Sequence, residues 1–231
     1  MRLDLVDLLR CPNGHDETPL VCVAGDARDR ELRSAILGCP VCHAEFTVRD
    51  GVAWLGEGEP PAAGGEPSLV TGSSAVATTP SPGTPGDPFR LAAMLDLTSP
   101  GGTVVLAGEW AAAAGDLAAL TSVGVVVLAG AAPAAAAGPV SVLAGTHGVP
   151  LARASLRGIA LGAEPAGVLD ARLAAAGAAL VANGRLVAPV ACDLPPGSEE
   201  LARDARWWVA ARREPPRAVS LRRAPPRTPG R

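Results

Sequence analysis

The sequence predicts an α/β fold in two parts: a small β domain stapled by a metal ion, then a mostly parallel sheet with helices on both faces. Two observations predict it. Four of the five Cys and two of the three His precede residue 56, and Cys39 and Cys42 are separated by only Pro40 and Val41. Beyond Phe89, uninterrupted apolar runs alternate with Ala- and Leu-rich segments, as expected of strands buried on both sides by crossover helices. A composition of 48% hydrophobic and 19% charged residues supports a buried core and excludes global disorder.

The N-terminal part spans residues 1–55. Its first residues mix Asp4 and Asp7 into an apolar stretch, unlike a secretory signal. Leu20-Val21-Cys22-Val23 reads as a strand, and Asp50-Gly51 between apolar runs reads as a hairpin turn. Residues 56–88 follow, with seven Pro and seven Gly in 33 positions, a linker composition.

The second part spans residues 89–221. Phe89 to Leu97 has helical spacing and stops at Ser99-Pro100-Gly101-Gly102. Thr103–Ala107 is a buried strand, Ala111–Leu120 a helix, Val123–Leu128 a second strand and Val140–Leu143 a third. Gly158–Leu161 is a fourth strand. Pro165–Ala176 is a helix that leads through Gly177 into Ala179-Leu180-Val181. Asn183-Gly184 is read as a turn and Arg185–Val190 as a fifth strand. Ser198 is placed as the N-cap of a short helix, and Trp207–Ala211 and Ala218–Leu221 as late strands. Residues 222–231 form a basic, disordered tail. From Arg203 onward there are nine Arg against Asp204 and Glu214, in a chain whose net charge is −3. The apolar stretch Leu117–Ala152 is interrupted by Pro133 and Pro139, so it reads as two strands and a loop rather than a membrane helix. A cytoplasmic protein is expected.

Cys39-x2-Cys42 lets two thiolates converge on one ion at about 2.3 Å each. Upstream, Cys11 is also followed by Pro; Gly14 stands where a second Cys would fall, and His15 comes next. The expected set is Cys11, His15, Cys39 and Cys42, a Cys3His site suited to Zn2+ and structural because it leaves no open position. Cys22 or His43 could replace His15 as fourth ligand. A core of about 55 residues is marginal without such a staple, which favours the metal. Cys192 reads as a buried, inert thiol.

Residues 1–55 resemble the zinc-ribbon family that includes activator subunits of tRNA, rRNA and release-factor methyltransferases. The matching segments are Leu8 to Pro12, Leu37 to Cys42, and Phe46 to Leu55. The resemblance implies partnership with a methyltransferase or a translation-related protein. Phe89 to Leu221 resembles a class I S-adenosylmethionine-dependent methyltransferase, a Rossmann-like fold. Thr103 to Trp110 matches its first strand and glycine loop, Val149 to Leu161 its approach to the fourth strand, and Asn183 to Val187 its entry to the fifth.

The resemblance places cofactor contacts at Gly108 and Glu109. Yet the loop Ala107-Gly108-Glu109-Trp110 has one Gly and a bulky Trp where close backbone approach is required. The second strand ends in Val127-Leu128-Ala129-Gly130 without an acid, and Gly162-Ala163-Glu164-Pro165 lacks an Asn/Asp-Pro-Pro signature. The expectation is therefore a pseudoenzyme: a zinc-binding adaptor or regulator with an eroded S-adenosylmethionine site. The alternative is an active methyltransferase acting on RNA or protein. No catalytic triad is visible. His147 is a loop base candidate. Trp207-Trp208 beside Arg206, Arg212 and Arg213 is a candidate base-stacking site, and the Arg-rich C-terminus is a candidate RNA contact.

Overall fold

The computed structural model describes residues 1–56, 86–130, 139–165 and 167–213. Most of the linker, the predicted strand Ala218–Leu221 and the tail 222–231 lie outside the described residues. After a 3-10 turn at Leu3–Leu8 come β1 (Val21–Arg28), β2 (Glu31–Gly38), β3 (Glu45–Arg49) and β4 (Val52–Trp54). These four form an antiparallel meander. All three of its reversals use residues with positive φ, His43 (59°) serving the longer turn from β2 to β3. Asp50 (51°) and Gly51 (78°) turn β3 into β4 as expected, while Asp29 (51°) and Arg30 (64°) turn β1 into β2.

The α/β region contains α1 (Pro88–Met94), β5 (Thr103–Ala107), α2 (Ala114–Leu120), β6 (Gly124–Ala129), β7 (Val140–Ala144) and β8 (Leu156–Leu161). It continues with α3 (Val168–Ala179), β9 (Leu180–Pro189), β10 (Ser198–Arg203) and β11 (Trp207–Arg212). Asp87 caps α1 by accepting from the Phe89 and Arg90 amides, and Pro88 fills the first helical position. The segment expected to be one helix from Ala111 is a 3-10 turn, Gly108–Ala113, running into α2.

All eleven strands form one sheet in the order β1-β2-β3-β4-β7-β6-β5-β8-β9-β11-β10. Strands β5 to β9 are mutually parallel where they pair, and β11 runs antiparallel to β9. Counted from β5, the first five strands lie 3-2-1-4-5, the doubly wound arrangement whose order reverses between β5 and β8. The central strands β5 to β8 are buried on both faces. One core carries Val104, Leu106, Val125 and Val127 against Leu91, Leu95 and Leu117 of α1 and α2. The other carries Val105, Val126, Leu128 and Ile159 against Ala176 and Ala179 of α3.

The second core also contains Leu9, Leu20, Leu37, Phe46 and Leu55. The meander therefore shares a core with the α/β region, and β4 pairs in parallel with β7 through Val52–Val142, Ala53–Leu143 and Trp54–Ala144. The chain leaves this seam at Gly56, where a Cβ would meet the Gly145 carbonyl oxygen at 2.2 Å.

Three local readings are corrected. Ser198 opens no helix: Ser198–Arg203 is the edge strand β10, registered on β11 from Ser198–Arg212 to Arg203–Trp208. Pairing with an available edge outweighs the capping preference of one Ser. Asn183-Gly184 is not a turn between strands. It is an irregularity inside β9, where Asn183 takes φ 63° and the β8–β9 register jumps from Leu156–Leu180 to Gly158–Arg185. Gly177 does not end its helix, because α3 runs to Ala179.

Candidate metal centre

Two loops bring the centre together. In the first, the Cys11 amide donates to the Thr18 carbonyl (2.9 Å) and the His15 amide to the Asn13 carbonyl (2.8 Å), closing a tight excursion before β1. In the second, the Cys39 amide donates to the Ala44 carbonyl (2.9 Å) and the His43 amide to the Cys39 carbonyl (3.0 Å), with His43 at φ 59°. These bonds turn Cys39 and Cys42 toward Cys11 and His15. One ligand atom from each of the four lies within 4.8 Å of every other.

The distances suit zinc. With Zn–S near ~2.3 Å and Zn–N near ~2.05 Å, a tetrahedral ion spaces two sulfurs about 3.8 Å apart and a sulfur and nitrogen about 3.6 Å apart. Cys11 Sγ lies 3.7 Å from Cys42 Sγ, and Cys39 Sγ lies 3.4 Å from His15 Nε2. His15 Nδ1 is 2.8 Å from the Asp16 carbonyl oxygen, which can only accept, so Nδ1 carries the proton and Nε2 keeps its lone pair for an ion. Neither Cys22 nor His43 belongs to this group of four among the described residues.

The three thiols differ in environment. Burial pushes Cys11 up to about 12. The Ala44 amide and then the Asn13 side-chain amide, whose Nδ2 is 3.3 Å from the sulfur, bring Cys42 down to about 6. Burial opposes ionisation of Cys39, but the amides of Cys42 and Val41 outweigh it and hold its pKa below the usual thiol value. The Asp16 carbonyl, followed by Cys42, raises that of His15. A divalent ion would hold all three sulfurs as thiolates.

The first loop is also tied to the segment that follows β7. The Arg10 amide donates to the Pro150 carbonyl (2.9 Å), the Ala152 amide donates to the Leu8 carbonyl (2.8 Å), and Leu9 bridges to Leu151. Glu17 accepts from the Arg153 amide (3.1 Å) and pairs with the Arg153 (2.9 Å) and Arg10 (3.2 Å) guanidinium groups. Between this loop, the Gly145–Leu151 segment and α3 lies a cleft of about 1170 Å³, lined by His15 and His147 among others.

The Arg153 amide, with Arg10 and Arg153, holds the Glu17 carboxyl below the usual range. A depressed carboxyl adds stability above its unfolded pKa, near ~4.3, and loses it as pH falls through the lower folded value. Thermal midpoints of wild type and Glu17→Gln are therefore expected to differ at pH 7 and to converge in acid. A gap independent of pH would contradict this origin.

At the carboxyl ends of β5 and β8, where the sheet order reverses, the loops pack on each other. Gly108 has φ 61°, and a Cβ there would meet the Ala163 carbonyl oxygen at 2.7 Å. The Gly162 amide donates to the Ala107 carbonyl (3.0 Å). Glu109 accepts from the Ala163 amide through Oε2 (2.8 Å) and from Arg206 Nη2 through Oε1 (3.1 Å). Trp110 is buried against Trp207, with ring centroids 4.9 Å apart, and the Arg206 guanidinium lies 5.6 Å from the Trp207 ring centroid. The sequence-predicted cofactor residues Gly108 and Glu109 are thus engaged in loop-to-loop contacts.

Sequence reasoning missed Arg172. This side chain, on α3, is buried, pairs with Glu164 and donates to the Thr146 carbonyl (3.0 Å). Burial raises the Glu164 pKa and lowers that of Arg172, each opposed by the partner's charge. The only sequence signal is one Arg within the apolar face of Val168–Ala179. The Trp pair is not a stacking platform: Trp207 and Trp208 are 3% and 0% exposed on opposite faces of the sheet, and Trp208 donates to the Cys192 carbonyl (2.9 Å). Cys192 is half-buried, and burial raises its pKa.

No family model and no curated protein matches the chain. Solved structures of methyltransferases do. A protein of Methanococcus maripaludis, described as S-adenosyl-L-methionine-dependent, has 10% identity over 58% of this chain and 87% of its own, at a TM-score of 0.40. The antibiotic-resistance methyltransferase Kmr has 12% identity over 55% and 93%, at 0.36. The Thermus thermophilus 16S rRNA N2 G1207 methyltransferase has 17% identity over 52% and 38%, at 0.34. The doubly wound strand order carries the fold assignment independently of these distant likenesses. Among the described residues, no helix is long and apolar enough to cross a membrane.

Proposed function

We propose that this protein is a zinc-binding adaptor or regulatory protein whose methyltransferase-like region is non-catalytic. One observation carries the reading: the Cys3His cluster has ligand spacing for an ion with no open position, while the crevice at the sheet's order reversal is taken up by the chain's own loops. Zinc at Cys11, His15, Cys39 and Cys42 would staple the ribbon in place. The crevice offers a poor fit to S-adenosylmethionine, because Gly108 abuts Ala163, Glu109 is spent on Ala163 and Arg206, and the β6 end brings no acid.

The ribbon's strand β4 is already paired with β7, so a partner in trans must meet another surface, such as the β1 edge. The resemblance of the ribbon favours a partner from the methyltransferase or translation machinery, with the Arg-rich C-terminus as the RNA contact. The test uses one purified sample of the full chain. Metal analysis is expected to find one zinc per chain, and calorimetric titration to find no S-adenosylmethionine binding at micromolar concentrations. Saturable micromolar binding would instead favour an active methyltransferase.

A further inference from the structure

The three sulfurs of the cluster differ in what they face. Cys39 is buried with its sulfur against His15, Cys11 is half-buried, and Cys42 is exposed. The Cys42 and Cys11 sulfurs are in contact, 3.7 Å apart. A disulfide needs about 2.05 Å, so the two must close by about 1.7 Å. Both lie outside the strands, Cys11 in the first loop and Cys42 in the turn after β2, so neither is held by sheet pairing.

We propose that the cluster is a peroxide modification site in which Cys42 is oxidised first and Cys11 resolves it, forming a Cys11–Cys42 disulfide and expelling the ion. The proposal rests on the metal reading above. The Cys42 sulfur attacks one oxygen of a hydroperoxide; an S–O bond forms, the O–O bond breaks, and the leaving oxygen takes a proton. For hydrogen peroxide that product is water, and Cys42 becomes a sulfenic acid. The Cys11 thiolate then attacks the Cys42 sulfur. An S–S bond forms, the S–O bond breaks, and the departing hydroxide takes a proton to become a second water. Two thiolates lose two electrons and hydrogen peroxide gains them. Cys39 and His15 remain, too few to retain a zinc ion that needs four ligands.

Access sets the order of attack, and the half-buried Cys11, in contact with Cys42, is the resolving partner rather than Cys39, which is buried against His15. Cys22 and Cys192 stand outside the cluster, half-buried, with thiol pKa values raised chiefly by burial, and are expected to stay reduced.

The experiment uses the full chain loaded with zinc, its metal content measured first, then treated with hydrogen peroxide. A chromogenic chelator follows release, and peptide mass spectrometry maps the sulfurs. The expected result is one zinc released per disulfide, a mass lower by two hydrogens, and a Cys11–Cys42 cross-linked peptide. Cys22→Ser with Cys192→Ser is expected to leave the release rate unchanged. A chain that holds no zinc after loading defeats the metal reading and this proposal together. A loaded chain that yields a Cys39–Cys42 bridge, a Cys42 sulfinic acid without a bridge, or a bridge without zinc release overturns the proposal alone, as does a slower rate in the double variant.

Discussion

On the zinc reading proposed above, a strong chelator is expected to loosen the N-terminal meander and the segment after β7 with it. Structural zinc in small domains supplies an apparent ~10–16 kcal/mol of folding free energy at neutral pH. Here the loss should be smaller, because Leu9, Leu37, Phe46 and Leu55 remain packed in the core shared with α3. The loss is also expected to spread. The Leu8, Arg10 and Glu17 contacts to Pro150, Ala152 and Arg153 start from the segment that carries Cys11 and His15 and end on the approach to β8. Amide exchange is the measurement: residues 9–55 and 145–153 should exchange faster in the chelated protein, while β5 and β8 keep their protection. Cys39→Ser should reproduce the pattern without chelator. Unchanged exchange at 145–153 in both experiments would show that the two regions are coupled only by proximity.

Replacing Arg172 by Ala should be the most damaging single change in the α/β region. It strands the Glu164 carboxylate in a site 9% exposed and frees the Thr146 carbonyl from its donor. Breaking a buried pair from one side costs about 3–5 kcal/mol, whereas replacing both partners by apolar residues of similar volume is often close to neutral. Arg172→Met combined with Glu164→Met should therefore recover most of what Arg172→Ala loses. Denaturant unfolding of the three proteins tests this. A loss below about 1 kcal/mol for Arg172→Ala would mean that water already solvates the pair.

Much of the architecture was legible in short stretches. The Cys-Pro pairs located both loops of the Cys/His cluster, and the runs at Thr103, Val123, Val140 and Gly158 marked four central strands because a strand buried on both faces has no polar phase to obscure. Asp50-Gly51 declared its turn through its tolerance of positive φ. What was not legible depends on distant partners. Ser198-Glu199-Glu200 is helix-like in isolation and becomes a strand only when the β11 edge is present. The β9 irregularity at Asn183 looked like a chain reversal because the same residues serve both. Nothing local revealed that β4 would pair with β7, or that an Arg on α3 would meet an acid eight positions before it and a carbonyl in the loop after β7.

The β4–β7 seam bears on how the chain can be divided. A fragment beginning at Phe89 would carry β7 as a bare outer margin, its amides and carbonyls facing water beside Val142 and Leu143. Such a margin recruits strands from other molecules and promotes aggregation. The front meander thus serves the rear region as a molecular selvedge, finishing a border that would otherwise fray into its neighbours.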